Sequence, residues 1–105
     1  MLYLHVTFIV AADAIEEYET IFRDEFLPRI LAHGIRPVGI WKTMVGRAGE
    51  FIELWEFDDA AEYERRWKAL GADEAVRRIM KRTGPLVTNE ELRLLEAAPF
   101  PVSRR

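Results

Sequence analysis

The stretch Phe51-Ile52-Glu53-Leu54-Trp55-Glu56-Phe57 restricts the folds open to this chain more than any other. It is rich in aromatic and β-branched side chains, follows the turn-forming Gly46 and Gly49, and runs through Asp58-Asp59 into a helical pattern. Those features together mark a strand. Alternate side chains point to opposite faces, so one face reads Phe51, Glu53, Trp55, Phe57 and the other Ile52, Leu54, Glu56. Both faces are apolar, and each carries a carboxylate. A sheet with one face in water alternates apolar with polar residues, so a strand apolar on both sides must be covered on both. The chain's own helices can supply one cover. The other has to come from elsewhere, which points to a partner sheet.

A length of 105 residues, 50% of them apolar, suits a single domain over 1–105 with one core. The net charge of −3 argues against a general nucleic-acid or anionic-membrane binder, which carries a basic excess. The absence of cysteine excludes a disulfide, a thiol nucleophile and a cysteine metal site. Met1-Leu2-Tyr3-Leu4-His5-Val6 has neither a basic leader region nor an apolar run long enough for a membrane span, so a cytoplasmic protein is expected.

Leu2 to Val10 alternates as a strand, with Leu4, Val6 and Phe8 on the core side and Tyr3, His5, Thr7 and Ile9 on a mixed side. Asp13 and Glu16 have capping-box spacing, predicting a helix from about Ala14. Ile15, Tyr18, Phe22, Phe26 and Ile30 form its apolar stripe, Pro28 should kink it, and Gly34 should end it. Ile35 to Val45 reads as the second strand, joined to the central strand by a hairpin loop at Gly46-Arg47-Ala48-Gly49. An unbulged four-residue loop would set Lys42 opposite Glu53 and Ile40 opposite Trp55. Asp59 and Glu62 make a second capping box, opening a helix buried through Tyr63, Trp67 and Leu70, with Glu62–Arg66 and Glu64–Lys68 pairs on its wet side. Gly71 interrupts that helix, and Asp73 restarts it through Val76, Ile79 and Met80. Thr88 to Leu95 is the last strand, with Leu92 and Leu94 on one face and Asn89, Glu91, Arg93 and Leu95 on the other. Ala97 to Val102 is an extended tail whose two prolines keep it out of a sheet interior.

The order β-α-β-β-α-β is the ferredoxin-like α+β arrangement, a four-stranded antiparallel sheet with both helical segments on one face. Its other face is expected to carry Tyr3, His5, Thr7, one aromatic-rich side of the hairpin, and Asn89, Glu91 and Arg93. A second copy packing sheet to sheet about a two-fold axis would bury that surface.

Phe26-Leu27-Pro28, His33-Gly34, Val38-Gly39-Ile40-Trp41, Leu54-Trp55-Glu56-Phe57 and Glu91-Leu92-Arg93-Leu94-Leu95 with Pro99-Phe100 give the chain a resemblance to the NIPSNAP family over nearly its whole length. That family sits within the dimeric α+β barrel superfamily, alongside small antibiotic-biosynthesis-type monooxygenases. The resemblance implies a homodimer whose sheets enclose a barrel with a cavity, and it brings no catalytic residues to carry over. His5 departs from the family pattern, where an aliphatic residue is commoner.

Two residues are candidates for catalysis. His5, on a strand expected to face a cavity, is suited to a general base or a ligand group near neutral pH; the alternative is a histidine at a dimer interface. Glu53 and Glu56 fall on opposite faces, so only one can face the interior, and Glu53 is the second candidate, with a Lys42–Glu53 bridge as its structural alternative. Tyr3, Trp41 and Trp55 could wall a pocket for a flat ligand. Asn89 with Arg93 could grip a carboxylate, or Arg93 could pair with Glu91 across an interface. His33, at a helix end, reads as structural, and the two histidines lack zinc-ligand spacing. The basic residues between Arg65 and Arg82 are interleaved with Glu62, Glu64, Asp73 and Glu74, which describes a solvated helix face. No phosphate loop, nucleophile elbow or metalloprotease helix is present, so no cofactor or metal is expected. The expected function is a homodimer binding a small apolar or aromatic molecule between sheet and helices, acting as a cofactor-free monooxygenase or isomerase. The alternative is a non-catalytic sensing or interaction module whose cavity is filled by Tyr3, Trp41 or Trp55.

Overall fold

The computed structural model describes residues 1–100. Four strands, β1 Leu2–Val10, β2 Arg36–Lys42, β3 Glu50–Phe57 and β4 Val87–Glu96, form one antiparallel sheet in the order β2-β3-β1-β4. Helices α1 Ile15–Ile21, α2 Leu27–Ala32, α3 Ala60–Ala72 and α4 Glu74–Thr83 pack on one face of it. This is the ferredoxin-like α+β fold. Among the described residues no helix is long and apolar enough to cross a membrane.

Alternation in β1 and β3 builds the core. Leu4, Val6, Phe8 and Val10 are buried on the helix side, beside Phe51, Trp55 and Phe57. Tyr18, Ile30, Leu70 and Val76 close over them. Phe8 stacks on Phe51 with centroids 5.5 Å apart and tilts against Tyr18 at 5.4 Å. Each such aromatic or aliphatic burial contributes roughly 1.5–3 kcal/mol.

Local chemistry sets the helix boundaries, with one departure from expectation. Asp13 makes no cap; the chain enters α1 through a 3₁₀ turn at Ala12–Ala14, which puts Ala14 at the capping position. Its backbone N–H already bonds the Ala11 carbonyl at 2.9 Å. Before Pro28 the helix widens into a π segment, Phe22–Phe26, where the Leu27 N–H reaches back to the Phe22 carbonyl. Proline has no N–H to give and crowds the carbonyl four residues earlier, and the wider turn makes room for it. Asp59 does cap α3, accepting from the Glu62 N–H at 2.8 Å. Asp73 caps α4 in the same way, from the Ala75 N–H at 2.9 Å.

The hairpin register differs from expectation. Ile40 lies opposite Glu53 and Lys42 opposite Phe51, because the turn runs over residues 43–49; farther from the turn, a bulge between Pro37 and Gly39 shifts the pairing again. Thr43 holds the turn, its N–H on the Glu50 carbonyl at 2.9 Å and its hydroxyl on the Glu50 carboxylate at 2.8 Å. Gly49 is obligatory there. Its φ is +77°, and a Cβ would run into the Val10 carbonyl. Lys42 consequently pairs with Glu19 of α1 at 2.6 Å, and the expected Lys42–Glu53 bridge does not form.

The last strand carries a second bulge. Thr7 is opposite Glu91 and Ile9 opposite Thr88, so Asn89 and Glu90 together face one residue of β1. Asn89 has φ +55°, a left-handed conformation that asparagine tolerates better than most. Glu90, two residues before Leu92, shares its helix-side face, and the extra residue resets the alternation ahead of it, so that Val87 also faces the helices. Asn89 therefore lies within the bulge, out of line with Glu91 and Arg93. Of the expected tail, Pro101 and Val102 fall outside the described residues.

Candidate functional site

The helices cover β1 and β3 well but leave the helix side of β4 bare, where Leu92 and Leu94 are 43% and 49% exposed. A cavity of about 290 Å³ opens at that uncovered edge, between sheet and helices. Its floor is Val6, Phe8, Glu53 and Trp55, and Tyr18, Phe22 and Phe26 form the helical wall. Trp67, Met80 and Glu90, all exposed, stand at the mouth. Tyr63 orders that rim, stacking on Trp67 at 5.9 Å and meeting Phe57 edge-on at 5.2 Å. An apolar cavity of about 150 Å³ holds a benzene, so this one has room for a one- or two-ring molecule.

Glu53 is the polar centre of the floor, only 7% exposed. Trp55, two residues along the same strand face, donates its indole N–H to Glu53 Oε1 at 3.0 Å. No other donor among the described residues reaches the carboxylate, so Oε2 is unpartnered. Burial raises the Glu53 pKa from 4.5 to about 7; the Trp55 hydrogen bond opposes that shift and the Glu90 charge adds to it. The Tyr18 phenol is held above its ordinary value, by burial first and then by Glu53 and Glu90. Among the described residues no Lys, Arg or His lines the cavity. It is an apolar, aromatic chamber with a proton-accepting group that titrates near neutrality.

Of the residues singled out from the sequence, Glu53 and Trp55 line this cavity and the rest lie elsewhere. His5 is on the opposite face of the sheet, flanked in register by Leu54 and Arg93. Tyr3 and Trp41 share that open face, Trp41 lying beside Gly39, where a Cβ would collide with its ring. Within one chain His5 and Glu53 therefore cannot meet the same ligand. Tyr3 and Trp41 do not fill the cavity either. Tyr18, Phe22 and Phe26 were legible as a helical stripe but not as cavity wall. Glu90 was not singled out, although its alternation with Leu92 and Leu94 along β4 was the signal that could have found it.

A second polar group fastens the helices together. Asp73 accepts from Arg29 at 2.7 Å and lies 2.8 Å from His33 Nε2, joining the end of α2 to the α3–α4 junction. Glu62, expected on the wet side, is instead 6% exposed and turned inward. It accepts from the Asp58 N–H at 2.6 Å and from Arg66 Nε at 2.9 Å, and these bonds lower its pKa to about 2. Arg66 also donates to the His33 carbonyl at 2.8 Å. His33 thus has a structural place, as its position at the helix end suggested. Among the described residues no cluster of His, Asp and Glu is arranged to hold a metal.

The sequence profile of the NIPSNAP family matches residues 3–102. No curated protein matches the chain. An uncharacterized NIPSNAP domain protein from Burkholderia xenovorans superposes with a TM-score of 0.88 at 25% identity, over 98% of this chain and 100% of that one. A NIPSNAP family protein with unknown function from Agrobacterium tumefaciens gives 0.87 at 23% identity, over 96% and 91%. An antibiotic biosynthesis monooxygenase gives 0.73 at 17% identity over 94% and 100%, a likeness of fold.

Proposed function

The chain belongs to the NIPSNAP family, and from that premise and the cavity we propose that it binds a small, largely apolar or aromatic molecule between its sheet and its helices. The single observation that carries this reading is an open, aromatic-walled volume with one unpartnered carboxylate oxygen facing into it. A space left over from folding would be expected to be closed by its neighbours, since interiors pack densely. Glu53 Oε2 is the atom that accepts a hydrogen bond, or a proton, from the ligand group that meets it. Of the reactions open to a cofactor-free site of this fold, isomerisation needs only such a proton acceptor: Glu53 takes a proton from one atom and returns it to another. The fold shared with an antibiotic biosynthesis monooxygenase is the support for oxygenation, in which molecular oxygen would be the oxidant.

We further infer that the chain acts as a homodimer, joined through the open face of the sheet. Ile52 and Leu54 give that face an apolar centre, half-exposed Trp41 and Leu95 extend it, and charges of both signs, Arg36, Arg93, Glu56 and Glu91, flank it. A surface with both signs around an apolar centre is complementary to itself under two-fold rotation. His5 belongs to this interface in the dimer.

The test is methyl NMR of the intact protein titrated with tryptophol, a neutral two-ring probe. Saturable shifts confined to cavity-lining methyls, Val6, Ile30, Val76 and Met80 among them, are expected. Unchanged methyls at those positions would remove the cavity from any function.

A further inference from the structure

The cavity's electrostatics say which class of molecule it takes, an inference that rests on reading the cavity as a ligand site. Facing Glu53 are Trp55 on its own strand, Tyr18 from α1 and Glu90 from β4. The α3 and α4 residues that line the cavity, Trp67, Leu70, Val76, Met80 and Thr83, include no cation. Among the described residues every formal charge that lines the space is therefore negative. Arg23, which with Glu53 lines the adjoining recess, is paired with Asp24 at 2.9 Å. The deepest charge belongs to a carboxylate that is more than nine-tenths buried with one oxygen unpartnered. A buried carboxylate is normally matched by a cation, because desolvation without one is unfavourable. Here the nearest lysine in the strand pairing, Lys42, is committed to Glu19. The walls reinforce the same preference, since the faces of Tyr18, Phe22 and Trp55 attract positive charge. A carboxylate or phosphate ligand would meet two like charges and, among the lining side chains, only neutral donors: an indole, a phenol and the Thr83 hydroxyl. A neutral alcohol would satisfy Oε2 and leave the charge unbalanced.

We propose that the cavity selects protonated amines: a one- or two-ring apolar body lying against Tyr18, Phe22 and Trp55, with its ammonium donating to Glu53 and drawn inward past Glu90. The ligand supplies the counter-cation that the fold withholds. Because Glu53 titrates near neutrality when the cavity is empty, binding the ammonium displaces its proton.

The experiment is isothermal calorimetry of the full chain with three probes that share one ring system: tryptamine, tryptophol and indole-3-acetate. At about pH 8 tryptamine is expected to bind about tenfold or more tighter than tryptophol, as a charge-assisted contact exceeds a neutral one, and indole-3-acetate is expected to bind weakest. Near pH 7, heats measured in buffers of different ionisation enthalpy should show a proton released with tryptamine and none with tryptophol. Glu53→Gln, which keeps an acceptor for the Trp55 N–H, should bring tryptamine down to the affinity of tryptophol and abolish the proton release. Tryptophol binding as tightly as tryptamine, or indole-3-acetate binding tightest, overturns the amine proposal while leaving the cavity a ligand site. Failure of all three probes to bind overturns both readings.

Discussion

Trp55 donates its indole N–H to Glu53, two residues earlier on the same face of β3, at 3.0 Å. That one bond satisfies half of a carboxylate which the fold otherwise leaves largely desolvated and without a cationic partner. The arrangement is costly in stability, and the cost depends on pH.

Glu53→Gln measures it. Because the folded-state pKa stands near 7, above its ordinary 4.5, the native protein holds this proton more tightly than the unfolded chain does. Wild-type stability from this group is therefore full below about 4.5, declines as pH rises to about 7, and is flat beyond. The variant should be more stable than wild type by about 3 kcal/mol at about pH 8 and should lose that advantage near pH 4.5. Urea unfolding across this range checks it; a constant difference between the two proteins would show that Glu53 is not carrying a buried charge.

Asn89 sits in the β4 bulge beside Glu90, with φ +55°. Asn89→Gly should leave stability within about 0.5 kcal/mol of wild type, whereas Asn89→Val should cost about 1–3 kcal/mol, because a β-branched residue is strained in the left-handed region. Urea midpoints of the two variants decide between this and a bulge that simply relaxes away.

Asp73 both caps α4 and holds Arg29 and His33 from α2. Its pKa is lowered, first by the His33 contact and then by Arg29, so its contribution is present above its ordinary 3.8 and is lost as pH falls through the lowered value. Asp73→Ala should reduce the melting temperature by several degrees at neutral pH, with the deficit shrinking only in strong acid. Thermal melts at neutral and acid pH are the measurement.

Leu54 sits at the centre of the open sheet face, opposite His5. Light scattering over a dilution series should report a dimer for wild type. Leu54→Lys should weaken that dimer by about 100-fold or more while leaving the helical circular dichroism intact, as expected for a charge placed at an interface centre. A wild-type monomer at all concentrations would refute the two-fold interface.

Secondary structure and fold were readable because they follow from short-range rules. Period-two alternation in Leu2–Val10 and Phe51–Phe57, caps at Asp59 and Asp73, and turn residues at Gly34 and Gly49 act within a few positions of themselves. The pattern of both faces apolar in the central strand likewise required the helix cover that is observed on one side. The site was readable only in part, through Glu53 and Trp55, because two residues apart on a strand means one shared face.

What tertiary structure alone decided was which face encloses space, and who faces it. The longer hairpin turn moved Lys42 away from Glu53 and onto Glu19, leaving the carboxylate without a cation. The β4 bulge turned Val87 to the same side as Glu90, and helices too narrow to reach β4 left the opening. Each depends on how non-neighbouring segments register and pack. One extra residue in a strand reverses the side on which every later residue points, and local sequence preference carries little information about that.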